Sequence, residues 1–319
     1  MPPRSVSLSV EQLLWDFGSS NATIERSRLS YRQALLSLVA TRQALILEGV
    51  TAILNLKRHY DLVRLAKSSV ENIKQQAQLE DSKVQRGRGL STDVLQAKTQ
   101  LAGAEARLIR AEGALVNAKT RYRTVFGKQP GDMRSLEIPK LPIVQLPESV
   151  AQAIEIAVTE NPEIKATALS IIVAYEDIKK TESDEFYPRL DVVVRQNMDR
   201  DADGTIGTSN ETLVRVELSY NFSLGFTAVN TMRASQQRHT ASSNRYEDSR
   251  ILLEERTSVA WENLKTSKAN MERLENQADI AAEFLSLARK ERTFGKRSLI
   301  DVLSGEIALI NATSDAASA

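Results

Sequence analysis

The chain contains no cysteine and only two histidines, in 319 residues. Disulfides, thiolate nucleophiles and cysteine-based metal centres are therefore excluded, and a histidine metal cluster has almost nothing to be built from. Proline (8) and glycine (13) are scarce, and aromatic residues make up 5%, a composition suited to long helices rather than loop-rich folds. No charge of one sign dominates: 42 basic residues face 41 acidic ones, so nothing points to a nucleic-acid surface. No uninterrupted run of about 18 apolar residues is present, so no transmembrane helix is expected. No secretory signal precedes the first element. With a strand pattern directly after Met1 and a helical pattern still running at Ala319, the chain reads as a fragment of a longer protein.

What is present is helical periodicity of great length. From about residue 20 to 85 there is no proline and only Gly49 interrupts. At about 1.5 Å per residue such a helix runs on the order of 100 Å and needs lateral partners throughout. Beyond the turn Arg86-Gly-Arg-Gly-Leu-Ser91, the residues Val94, Ala97, Leu101, Ala104, Leu108, Ala111, Leu115, Ala118, Tyr122 and Val125 recur in steps of three and four. That is a heptad seam, and its alanines permit a close partner. Leu95, Ala102, Ala106, Ile109, Gly113 and Val116 form a second stripe. A helix with two seams has neighbours on both sides, as in a tube of helices.

The turn returns later. Gly295 repeats Gly87 and Asp301 repeats Asp93, each 208 positions on, and the heptad stripe ahead of the turn repeats as well. The chain is two copies of one unit.

Three stretches alternate with period two: Val6, Leu8 and Val10 against Ser5, Ser7 and Ser9; Leu190, Val192 and Val194 against Asp191 and Arg195; Val214, Val216 and Leu218 against Arg215 and Glu217. Strands with one apolar and one polar face fit a membrane barrel with a wet interior, or a small sheet on a soluble core. No free amphipathic helix remains to cover the sheet, which favours the barrel. Three strands cannot close one, so other subunits must complete it. Between the last two strands, Asp199, Asp201 and Asp203 followed by Gly204 match the start of a calcium loop. The bidentate Glu required at position twelve is Asn210, however, so a solvated hairpin loop competes with the calcium reading.

The duplicated strand–helix–tip–helix unit, the tip motifs Gly87…Asp93-Val-Leu and Gly295-Lys-Arg-Ser-Leu-Ile-Asp-Val-Leu, and the junctions Asn161-Pro162-Glu163 and Tyr187-Pro188 together resemble the outer-membrane efflux and secretion channels, the TolC family. The resemblance covers essentially the whole chain. It implies a mainly α fold with a small membrane β part: a homotrimer whose subunits share one outer-membrane β-barrel continued by a periplasmic α-helical tunnel. On this pattern residues 5–17, 188–198 and 212–223 are barrel strands. Residues 20–126 form the first long helix, tip and return helix; 127–160 the connector; 161–186 an upper helix; and 226–319 the second long helix, tip and part of its return. Four strands per subunit are expected, so the first strand is missing from this chain.

The resemblance also implies a passive exit duct working with a periplasmic adaptor and an inner-membrane ABC or RND pump, without cofactor, enzymatic activity or nucleic acid. Type I protein secretion is the favoured cargo class, with drug efflux the alternative and a soluble coiled-coil scaffold the rival from another class. The periplasmic gate maps to Asp93, Arg297 and Asp301, with Arg292 and Ser304 where the family pattern has a tyrosine and a second aspartate. Helix capping is the competing role for Asp93 and Asp301. Adaptor docking maps to the tips: Arg86, Gly87, Arg88, Gly89, Leu90 and Ser91 on one, Phe294, Gly295, Lys296, Ser298 and Leu299 on the other. No nucleophile elbow, phosphate loop or zinc spacing accompanies them.

Overall fold

The computed structural model describes residues 4–132, 138–139, 146–200, 206–221 and 224–319. In chain order these form β1 (Arg4–Trp15), α1 (Ser19–Gln85), α2 (Ser91–Phe126), α3 (Val150–Glu160), α4 (Pro162–Phe186), β2 (Arg189–Arg200), β3 (Thr208–Ser219), α5 (Thr227–Thr293) and α6 (Leu299–Ser318). The fold is mainly α with a small sheet. Two compact units partition it, one made of residues 1–41 and 151–257, the other of 42–150 and 258–319.

In the first unit the three strands form one antiparallel sheet in the order β1-β2-β3. Its register sorts the side chains by chemistry. Val194 pairs with Val10 on one side and Val214 on the other, and Val192 pairs with Val216. Because side chains alternate with period two, Val6, Leu8, Val10, Val192, Val194, Val214, Val216 and Leu218 share one face. Large members of that face are solvent-exposed in the protomer. The opposite face carries ion pairs, with Arg189 on Asp191 at 2.9 Å and Arg215 on Glu217.

β3 starts at Thr208 rather than 212, and β2 continues to Arg200 rather than stopping at 198. β1 in turn stops at Trp15. Phe17 takes a positive φ of 54° and the Asp16 carboxylate accepts from the Gly18 and Ser20 amides, turning the chain into α1. Phe226, at the corresponding step into α5, has φ 57°. α4 starts with Asn161 accepting from the amides of Glu163 and Ile164, and with Pro162 in the first turn, where its missing N–H is not needed. It is fastened to α1 by Arg26–Asp177 at 2.6 Å and by Gln33, which donates to the Ala166 carbonyl at 3.0 Å.

In the second unit the seam of α2 buries Val94, Ala97, Ala104, Ala118 and Tyr122. Leu56 of α1 packs on Ala118 and Tyr122, while Ile73 and Ala77 pack with Ala97, Ala104, Leu299 and Leu303. Small side chains at alternate seam positions let helices from both hairpins meet in one core. The second stripe remains bare: Leu95, Ile109 and Val116 are 65, 69 and 61% exposed. Arg107 is half-buried with its Nη2 out of contact with solvent, while Arg110, one turn on, is exposed.

α1 holds an 18-residue stretch that is long and apolar enough to cross a membrane by length and composition alone, little buried within the protomer. No uninterrupted apolar run of that length occurs in α1, which polar residues such as Thr41-Arg42-Gln43 interrupt.

Candidate functional site: the two helix tips

Both tips are built from the same hydrogen bonds. At the end of α1 the Gly87 amide donates to the Val84 carbonyl and the Arg88 amide to that of Lys83, both at 2.9 Å. At the end of α5 Gly295 donates to Arg292 at 2.9 Å and Lys296 to Glu291 at 3.0 Å. These are paired Schellman closures, and the residue at their centre must be left-handed. Gly87 has φ 71° and Gly295 φ 73°, a conformation that a side chain disfavours by roughly 1–2 kcal/mol.

The return helices start differently. Ser298 caps α6: its hydroxyl accepts from the Asp301 amide at 3.2 Å and donates to the Asp301 carboxylate at 2.9 Å, which also accepts from the Ser298 amide. Asp301 is thus a capping-box acid. Leu90 occupies the same place before α2 and offers no side-chain cap. Asp93, half-buried in the first turn of α2, makes no ion pair among the described residues.

The other residues expected at a gate find partners that the sequence pattern did not specify. Arg297 bonds Glu291 of its own tip through Nε at 2.6 Å and stands 5.5 Å over the Phe284 ring. Arg292 does not lie free on a rim: it binds Glu80 of α1, a residue only 3% exposed, which also accepts from Lys83 at 2.9 Å. Burial pushes the Glu80 carboxyl up, but hydrogen bonds from Lys83 and Arg292, with their charges, hold it below its ordinary value overall. Next to this bridge Arg289 binds Glu306, another 3% exposed carboxylate. The first hairpin has the same link with its charges exchanged, Asp81 to Lys98 at 3.9 Å. Ser304 is exposed.

Most of the residues expected to meet an adaptor are on the surface. Leu90 and Phe294 are 66 and 78% exposed, and Arg86, Gly87, Arg88, Gly89, Ser91, Gly295, Lys296 and Ser298 are exposed as well. Leu299 is the exception and is withdrawn from the surface: it is buried against Ile73 and Ala97. Leu299 serves the core while the adjacent Ile300 stays exposed, because only one side of the first turn of α6 packs inward. Sequence reading also passed over Glu80 and Glu306 as site residues. The usable signal was a carboxylate on the heptad stripe of α1, where burial demands a cation.

Strand pairing holds the two ends of the calcium-loop candidate. Asp199 pairs with Ser209 and Asn210 with Met198 in the β2–β3 ladder, so both ends of the would-be loop are held in strands. The Asp199 Oδ1 accepts from the Ser5 hydroxyl at 2.6 Å; Asp201 and Asp203 lie outside the described residues. Among the described residues no group of three His, Asp or Glu side chains is placed to hold a metal. Burial, with the Arg58 charge beside it, lowers the His59 pKa.

A family model described as "Outer membrane efflux protein" matches residues 3–128 and 153–319. Outer membrane efflux protein BepC of Brucella suis is 24% identical over 98% of this chain and 69% of its own length. Alkaline protease secretion protein AprF of Pseudomonas aeruginosa is 25% identical over 97% of the chain and 65% of its own. Outer membrane protein TolC of Escherichia coli is 22% identical over 99% and 66%. The chain thus spans about two thirds of the length of these relatives. Among solved structures, the outer-membrane channel OprN superposes with a TM-score of 0.79 at 20% identity, covering 99% of this chain and 77% of that one. The outer membrane protein VceC of Vibrio cholerae gives 0.80 at 15%, covering 99% and 82%. The fold is that of these channels, and the chain belongs to the outer membrane efflux protein family: it is a TolC-like protein of the outer membrane and not an enzyme.

Proposed function

We propose that the protein is a subunit of a passive export duct, a homotrimer that joins a shared β-barrel in the outer membrane to a helical tunnel in the periplasm. The reading rests on two bare apolar surfaces of one protomer. The sheet exposes a largely Val/Leu face while its opposite face carries ion pairs, and α2 exposes Leu95, Ile109 and Val116 beside an already filled seam. Lipid suits the first surface and copies of the same chain suit the second. A periplasmic adaptor docks at the exposed tips around Leu90 and Phe294, and an inner-membrane pump of the ABC or RND class supplies the energy. Protein secretion is the proposed cargo class, supported by the tip motif Gly295–Leu303 and by the relative named for alkaline protease secretion.

The gate lies at the tips. Asp93 has a carboxylate to offer, and Arg297 uses Nε for Glu291, which leaves both Nη groups for a neighbour. In the trimer one substitution removes three links. Arg297→Ser and Asp93→Ala in the full-length protein should each raise single-channel conductance in planar bilayers while trimers still assemble. Unchanged conductance in both would leave Asp93 and Arg297 as residues of local structure alone.

A further inference from the structure

Within the second unit, α1, α2 and α6 enclose a hollow of about 190 Å³ that has no part in the tip network. Its floor is apolar, with Ala104 and Ile310, and its polar groups are Ser69, Arg107, Asn311 and Ser314. Two of these are anomalous. The Arg107 Nη2 is buried without a hydrogen-bond partner, and so is the Oγ of Ser69, a residue only 6% exposed. A buried guanidinium N–H and a buried hydroxyl left unpaired each carry a desolvation penalty.

No ordinary partner is at hand for the charge. Arg107 makes no ion pair among the described residues, and no acidic side chain is among those lining the hollow. The helical neighbours of Arg107 at three and four positions are Gly103, Ala104, Arg110 and Ala111. Asp315, adjacent to Ser314, is exposed and does not line the hollow. Glu306 borders a smaller neighbouring hollow of about 110 Å³, but its carboxylate is bound to Arg289. Water would satisfy the Ser69 hydroxyl; only an anion satisfies the hydroxyl, the N–H and the positive charge together.

We propose that this hollow is a binding site for a small inorganic anion of the size of chloride, held by Arg107 Nη2 and Ser69 Oγ. Arg107 and Ser69 belong to the first hairpin, while Asn311 and Ser314 belong to the second. The bound anion therefore ties α6 to α1 and α2 where a stripe of alanines leaves room for it. The site rests on the packing of these three helices and not on the gate assignment.

Bromide is the probe. Crystals of the full-length trimer soaked in sodium bromide should show an anomalous peak between Arg107 and Ser69. The melting temperature of the detergent-solubilised trimer should also rise saturably when chloride replaces gluconate at constant ionic strength. Arg107→Gln should abolish the peak and weaken the apparent chloride affinity by about tenfold or more. Ser69→Ala should weaken it less, Arg107→Lys should retain part of it, and Arg110→Gln should leave it intact. If Arg107→Gln does not assemble, the ordering of Ser69→Ala below Arg107→Lys below wild type carries the same test. Water alone in the hollow, an adventitious ion only (a peak that survives Arg107→Gln), or melting temperatures indifferent to chloride in every variant overturns the proposal. Neither readout depends on channel opening, so a failed gate and a failed anion site remain distinguishable.

Discussion

Arg292 near the end of α5 donates to the buried Glu80 of α1, so a cation from one hairpin neutralises an acid in the other. The repeat makes this link singular. The positions equivalent to Glu80 and Arg292 in the other copy are Ala288 and Val84, an apolar pair. One copy of the duplicated unit thus carries the acid and the other the base, so the contact between hairpins is not symmetric.

Removing the base should be costly. In Arg292→Ala the buried Glu80 keeps Lys83 but loses its cross-hairpin partner, which should cost roughly 1–3 kcal/mol. A double-mutant cycle with Glu80→Gln, read by thermal unfolding of the full-length protein, should give a clear coupling energy. Independent, additive losses would mean that the two residues do not support each other.

Acid should weaken the same link. The folded Glu80 pKa lies below its ordinary value. Its contribution is therefore complete above the unfolded glutamate range and is lost as pH falls toward the folded value. Hydrogen exchange in the last two turns of α1 and α5 should accelerate as pH drops through that range, after correction for intrinsic rates. In Glu80→Gln the acid-dependent step should shrink; an identical step in both proteins would assign it to other carboxylates.

The strand register makes a prediction about solvent. Cysteines at Val192, Val194, Val216 and Leu218 should react with lipid-soluble reagents in the native membrane, and those at Arg195, Arg215 and Glu217 with water-soluble ones. The two sets alternate along the same strands, so mixed labelling within each set would contradict a barrel with this face toward lipid.

The seam of α2 can be tested by size. Ala97 is fully buried where helices of both hairpins meet, so Ala97→Leu should overpack the contact by about 1–3 kcal/mol. Arg110→Leu on the exposed side should be nearly neutral in chemical denaturation. Similar losses at both positions would place the heptad register wrongly.

Much of the fold was legible because periodic packing writes itself into local sequence. The heptad spacing from Val94 to Val125 identified the buried side of α2, and the 208-residue repeat predicted that Gly87 and Gly295 serve equivalent turns. Alternation identified the two faces of the strands, and Asn161-Pro162 marked a helix start. These signals depend on residues near one another in the chain, or on exact recurrence. By itself the sequence determined the helices, the repeat and the family to which they belong. Tertiary structure alone decided which charges meet: that Arg292 reaches Glu80, that Arg297 turns back to Glu291, that Asp301 closes a cap, and that Leu299 leaves the surface for the core. The physical reason is that a charge or an apolar side chain at a tip has several partners within reach. The choice among them depends on helix rotation and burial across two hairpins, quantities that no local spacing encodes.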